Sequence, residues 1–360
     1  MQPREFAAGQ EFLVAAKRYW STTLYRNLRA RFDELAASDP SASTIAAEAS
    51  PPPNLPELAA ALEQDVAYRH FAWLERHLQK LKYSGPYGLV PYYEERRQAL
   101  LQRLDVPPRH AGLSLDPALA LPGYYTRVDI HQHPGGVWSD DLAGFVYQAG
   151  AQTTTPLLGE SHATLHDRFT GLIAQRGDSR HILDLGCGFG KSTHPFANTF
   201  RAANIDAIDL SAACLRLAAA DASGPPAARI HFRQMDAGRL GFAEASFDLV
   251  TSTMLLHEIP PPPLRQVLEE SFRVLQPGGR AVHLDFYHMP DVFQRLLHYG
   301  HARRNNEPYM QPLAELDLPA MLRAIGFVDI LIEPFREADD ATDDAWRFPW
   351  TVISARKPAV

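Results

Sequence analysis

In the first third of the chain, apolar residues recur every three or four positions. Trp20, Leu24, Leu28, Phe32 and Leu35 fall on one helical face, and Leu58, Leu62 and Val66 followed by Phe71, Leu74, Leu78 and Leu81 predict another long helix. The stretch between them, SDPSASTIAAEASPPPNLPE, is small, polar and proline-rich, so a flexible connection is expected over residues 35–57. From about Ser179 the rhythm changes. HILDLG, NIDAIDL, RIHFRQMD, FDLVTSTM and GRAVHLDFY read as apolar strands, separated by the helical segments KSTHPFANTFRA, SAACLRLAAADA and PLRQVLEESFRVL. Such alternation predicts right-handed βαβ units, a parallel sheet and helices on both faces. A further helix, LPAMLRAIGF, precedes VDILIEPF and WTVISARK, and their short connection predicts an antiparallel hairpin closing the sheet. The expected organisation is a mainly helical unit over residues 1–159 and an α/β unit over 160–360.

Composition narrows the function more than the fold. With 360 residues, 46% hydrophobic and 21% charged, the chain reads as an ordinary globular protein able to bury a sizeable core. A net charge of -7 argues against general nucleic-acid binding, which draws on a surplus of Lys and Arg. Cys187 and Cys214 are too few for a disulfide framework. The start, MQPREFAAGQEF, lacks the apolar run of a secretion signal, and no segment approaches membrane-spanning length, so a cytoplasmic protein without membrane contact is expected.

The chemistry concentrates in DLGCGFGKST, Asp184 to Thr193. Its GKST ending suggests a phosphate loop, but that loop needs a glycine where Leu185 stands. A dinucleotide fingerprint starting at Gly186 and Gly188 would need a third glycine at Lys191. What remains is an acidic residue, then glycines at 186, 188 and 190, between a strand and a helix.

ILDLGCGFGKST resembles motif I of the class I S-adenosylmethionine-dependent methyltransferases. Other segments resemble the family in order: Asp209 ending the second strand in IDAIDLS, Asp236 and Ala237 in FRQMDAGRL, the run SFDLVTSTMLLHEI, and the turn in VLQPGGRAVHLDF. The resemblance covers about Glu160 to Lys357. It implies a Rossmann-like, mostly parallel seven-stranded sheet with a C-terminal antiparallel hairpin, binding S-adenosylmethionine and releasing S-adenosylhomocysteine. Gly186, Gly188 and Gly190 would let the backbone approach the amino-acid part of the cofactor, with Cys187 a small filler of the loop. Asp184 would meet its ammonium group, directly or through water. Asp209 would accept hydrogen bonds from both ribose hydroxyls. Leu210 would pack on the adenine, Asp236 and Ala237 would recognise its amino group, and Met254 lies where cofactor and substrate meet.

No motif announces the methyl acceptor. His257, with Glu258 beside it, directly after the fourth strand, is the candidate base or acceptor contact, because ligands collect outside the carboxyl ends of strands. Asp285, at the end of the fifth strand, is a second catalytic candidate, and His283 and His288 beside it are candidate substrate contacts, as are His133 and Tyr147. His131 and His133 lie in DIHQHPGGVWSDD, where no further ligand pattern supports a metal. Residues 124–159 are expected to dock over the crevice, with Tyr124, Tyr125, Trp138 and Tyr147 as aromatics for an acceptor pocket. The insertion at residues 287–316 lies where the family commonly forms a substrate lid. The expected function is methyl transfer to an oxygen, nitrogen or carboxylate of a small-molecule metabolite, by a monomer or homodimer without a metal. A nicotinamide-dependent oxidoreductase and a non-catalytic cofactor-binding regulator are the alternatives.

Overall fold

A computed structural model describes residues 3–37, 55–105, 111–152, 161–339 and 341–359. Seven strands coincide with the apolar runs read from the sequence: β2 His181–Leu185, β3 Asn204–Asp209, β4 Ile230–Gln234, β5 Phe247–Thr253, β6 Leu275–Phe286, β7 Val328–Pro334 and β8 Trp350–Arg356. An eighth strand, β1 Gly112–Ser114, comes from the N-terminal third and extends the seven-stranded expectation. The order is β1-β4-β3-β2-β5-β6-β8-β7, with β1 to β6 parallel and β8 antiparallel to both neighbours. The strand order reverses at β2, which opens a crevice outside the carboxyl ends of β2, β3 and β5.

The N-terminal third contributes α1 Arg4–Tyr19, α2 Tyr25–Ala37, α3 Leu55–Gln64, α4 Val66–Tyr83, α5 Leu89–Glu94, α6 Arg97–Leu104, α7 Gly123–Thr126 and α8 Ala143–Gln152. Around the sheet lie α9 Ser161–Gln175, α10 Thr193–Thr199, α11 Ala212–Asp221, α12 Gly224–Ala227, α13 Pro261–Val274, α14 Val292–Arg304, α15 Met310–Glu315 and α16 Leu318–Ile325. Two apolar cores cover the two faces of the sheet.

The helical reading needs three corrections. The first amphipathic run is interrupted by a π-helical turn at Trp20–Leu24. The second is two helices, because the Asp65 carboxylate accepts from the Ala67 N–H and caps α4. Val66 and Leu81, expected on the buried face, are 77% and 46% exposed. The connection expected over 35–57 is shorter, since α2 runs to Ala37 and α3 begins at Leu55; residues 38–54 lie outside the described residues. Trp20, Leu24, Leu28 and Phe32 are buried, but they share their core with Phe293, Leu297 and Tyr299 of α14 and with Trp346. The expected helical unit therefore closes against the insertion at residues 287–316.

Candidate active site

One cavity of about 210 Å³ runs from the glycine loop, past the ends of β3, β4 and β5, to the underside of α1 and α4. Gly186, Cys187, Gly188, Asp209, Leu210, Asp236, Ala237 and Met254 all line it. Gly188 has φ +50°, and a Cβ there would meet only the Tyr147 ring, at 3.6 Å, so the backbone faces open space. Gly186, at φ +67°, lies against Leu255, which a Cβ would strike at 2.7 Å.

Asp209 lines this crevice beside the glycine loop. Its Oδ2 accepts from the Gly188 N–H and its Oδ1 from the Ser211 N–H, each at 2.8 Å. Each oxygen keeps a second lone pair, so the carboxylate can also accept from two adjacent hydroxyls. Burial raises its pKa to about 6, against the pull of those two N–H groups. A vicinal diol fits this carboxylate, and the Cβ-free loop leaves room for backbone approach; the residues present fit an adenosyl amino acid.

Two loop residues sit differently from expectation. Asp184 is fully buried behind the loop and does not line the cavity. Its Oδ2 accepts from Ser192 Oγ at 2.9 Å and Thr193 Oγ1 at 2.7 Å, tying the turn to the start of α10, while Oδ1 has no partner. Gly190 faces the core instead, where a Cβ would meet Ala218 at 3.2 Å.

Beyond Met254, whose φ of +57° bends the chain at the end of β5, His257 reaches the cavity. Its Nδ1 bonds Asp285 Oδ1 at 2.7 Å, and Asp285 Oδ2 accepts from the Leu256 N–H at 2.7 Å. Nδ1 therefore carries a proton, and in the neutral ring Nε2 is the acceptor nitrogen, 3.8 Å from Glu307 Oε2. Burial opposes the charged imidazole, but Asp285 outweighs it and the His257 pKa is raised. Asp285 is buried and does not line the cavity, so it stands behind His257 and not at the cavity wall.

The three other histidine candidates are not at the cavity. His133 packs edge-on against Tyr83 at 5.2 Å, and burial lowers its pKa to about 4. His283 lies deeper in the sheet, paired with Ser252 Oγ at 2.8 Å. His288 is exposed, its backbone bonded to Thr351. Tyr147 does line the cavity, with its ring parallel to His131 at 6.0 Å. Tyr124 and Tyr125 line it as well, whereas Trp138 does not.

The groups that sequence reasoning did not single out come mostly from the insertion and α4. Glu307 Oε1 takes His131 Nδ1 at 3.1 Å, and its Oε2 lies 3.8 Å from His257 Nε2. His131 Nε2 bonds Glu258 at 3.1 Å. Burial would lower its pKa, but Glu307 and Glu258 raise it to about 10, so His131 is a cation at neutral pH. Glu75 of α4 accepts from His301 Nδ1 at 2.5 Å and from Arg304 and Asn305. The sequence reading named His131 and His257 of this network, and the aromatic and histidine-rich insertion carried the signal for His301 and Glu307.

Residues 182–279 match a family model described as a methyltransferase domain. An O-methyltransferase of Penicillium expansum is 30% identical over 235 residues, 62% of this chain and 79% of that protein. A demethylmenaquinone methyltransferase of Clavibacter sepedonicus is 29% identical over 218 residues, covering 61% and 80%. A 27-O-demethylrifamycin SV methyltransferase of Amycolatopsis mediterranei is 31% identical over 159 residues, 43% of this chain and 51% of that one. Among solved structures, phosphoethanolamine N-methyltransferase 2 of Haemonchus contortus aligns with a TM-score of 0.41 at 19% identity, covering 53% and 52%.

The chain belongs to the class I S-adenosylmethionine-dependent methyltransferases. It is an enzyme of that class and its methyl donor is S-adenosylmethionine, which sets aside the oxidoreductase and regulator alternatives. No helix among the described residues is long and apolar enough to cross a membrane.

Proposed function

We propose that the enzyme methylates a hydroxyl oxygen of a small-molecule acceptor, with His257 as the general base. The carrying observation is the His257–Asp285 pair, which fixes the imidazole tautomer and presents Nε2 to the cavity. When bound, S-adenosylmethionine supplies a methyl group on a cationic sulfur. Gly186, Gly188, Leu210, Asp236, Ala237 and Met254 would surround it, with Asp209 on the ribose hydroxyls; Asp184 would act by holding the loop. The acceptor oxygen would form its bond to the methyl carbon as the methyl–sulfur bond breaks, S-adenosylhomocysteine leaving, while the oxygen's proton passes to His257 Nε2. Asp285 stabilises the resulting imidazolium, and Glu307 faces it from the other side. An amine or thiolate needs no such base, which is why a buried, oriented imidazole favours a hydroxyl. The apolar cavity and the relatives that act on small molecules, such as demethylmenaquinone methyltransferase, favour a small metabolite. Tyr124, Tyr125 and Tyr147 of the N-terminal third and the insertion at residues 287–316 would cover the acceptor and exclude water.

The test offers labelled S-adenosylmethionine with matched aryl acceptors bearing a hydroxyl, an amine or a carboxylate. The expected product is the aryl methyl ether. Methylamine or methyl ester as the sole product would overturn the assignment.

A further inference from the structure

Beside His257 a second acceptor lines the cavity. Glu307, from the insertion, is only 4% exposed. Its Oε1 is taken up, with His131 Nδ1 at 3.1 Å and His301 Nε2 at 3.5 Å. Its Oε2 lies 3.8 Å from His257 Nε2, beyond hydrogen-bond distance, and no described residue donates a hydrogen bond to it. The carboxylate is held in this orientation because His131 is itself fixed: Nε2 bonds Glu258 at 3.1 Å, and its carbonyl accepts from Gln79 Nε2 at 2.8 Å. Burial would raise the Glu307 pKa, but His131 and His301 hold it well below the usual carboxylate range, so the group is an ionised acceptor. When the His257 ring is neutral, as a base must be, two acceptor atoms therefore stand side by side. One hydroxyl carries one hydrogen and satisfies only one of them, and a buried carboxylate oxygen left without a donor is costly. The surrounding wall is aromatic. The Phe286 ring centre lies 4.7 Å from that of His257, 4.4 Å from that of Phe348 and 4.8 Å from that of Trp350.

We propose that Glu307 selects the methyl acceptor by accepting from a second hydroxyl next to the one that is methylated, making the substrate class a 1,2-dihydroxy aromatic of the catechol type. One hydroxyl donates to His257 Nε2 and its neighbour to Glu307 Oε2, while the planar ring lies against the aromatic wall of Phe286, Phe348 and Trp350. This rests on the hydroxyl-methylation reading above. A methoxy group in the second position would set lone pairs against the carboxylate, and an acid there would set a second negative charge against it, so the same geometry rejects both.

The experiment is calorimetric titration of protein preloaded with S-adenosylhomocysteine. The probes are 2,3-dihydroxynaphthalene, 2-naphthol, 3-methoxy-2-naphthol and 3-hydroxy-2-naphthoate. The diol is expected to bind the wild type about 10-fold or more tighter than each of the other three. In Glu307→Gln the His131 cation keeps the amide oxygen, so the amide NH2 takes the place of Oε2. The diol then loses its advantage and 3-methoxy-2-naphthol gains. A diol that binds the wild type no tighter than 2-naphthol, or not at all, overturns the inference, as does a diol preference that survives in Glu307→Gln. The wild-type comparison decides by itself if the variant does not fold. Methylation of 2-naphthol and the diol with equal kcat/KM would sink this inference alone. Failure to methylate any hydroxyl would sink the reading beneath it.

Discussion

Replacing His257 with alanine lowers kcat by about 100- to 10,000-fold, with little change in S-adenosylhomocysteine affinity. The side chain lines the cavity, and Asp285, its hydrogen-bond partner at 2.7 Å, belongs to the proposed proton-transfer unit. Asp285→Asn should produce much of the same loss, because an amide no longer fixes the Nδ1–H tautomer or stabilises the imidazolium. In the wild type, turnover should rise with pH through a value above the ordinary imidazole range, since the His257 pKa is raised and only the neutral ring accepts a proton. Steady-state kinetics across pH, together with calorimetry of the product, checks both parts. Equal losses in turnover and cofactor affinity for His257→Ala would show that His257 supports the fold instead.

Replacing Glu75 with leucine destabilises the protein by about 3–5 kcal/mol, read as a shift of the urea midpoint. Glu75 is 6% exposed and is the common partner of His301, Arg304 and Asn305, so its removal strands buried positive charge between α4 and α14. Replacing Arg304 with methionine in the same chain should recover part of the loss. Burial alone would lower the His301 pKa, but Glu75 and Glu307 hold it at about 9. A pKa raised in the folded state stabilises fully below the unfolded value, and that contribution is lost as pH rises through the folded one. Wild-type stability therefore declines between about pH 6.5 and 9 from this group, and Glu75→Leu flattens the decline. A loss below about 1 kcal/mol would mean that water already reaches the network.

The parts of this fold legible in the sequence are those set by neighbouring residues. β2 to β6 are short apolar runs with helices between them, and the hairpin of β7 and β8 follows from a short connection. The glycine loop and Asp209 were legible because a tight strand-to-helix turn and a strand-terminal acid are local features. β1 was not, since three residues carry no periodicity and its pairing with β4 is decided by tertiary contact. Histidine identity alone could not separate His257 from His133 or His283, as all three are buried and only position relative to the cavity distinguishes them. Glu75 and His301 are 226 residues apart, and no local pattern announces such a pair.

Asp209, as a carboxylate, is expected to hold the cofactor sugar beside Gly188. Titration of S-adenosylhomocysteine from pH 5 to 8, with wild type and Asp209→Asn, tests it most directly. The Asp209 pKa of about 6 predicts that wild-type affinity is level above about pH 7 and weakens toward tenfold per unit below 6, as the protonated acid loses acceptor capacity. Asp209→Asn, whose amide would set a donor against the Gly188 or Ser211 N–H, should bind about 10- to 100-fold more weakly at pH 8 and respond less to pH. Wild-type affinity that is constant over this range and unchanged in the variant would contradict the account.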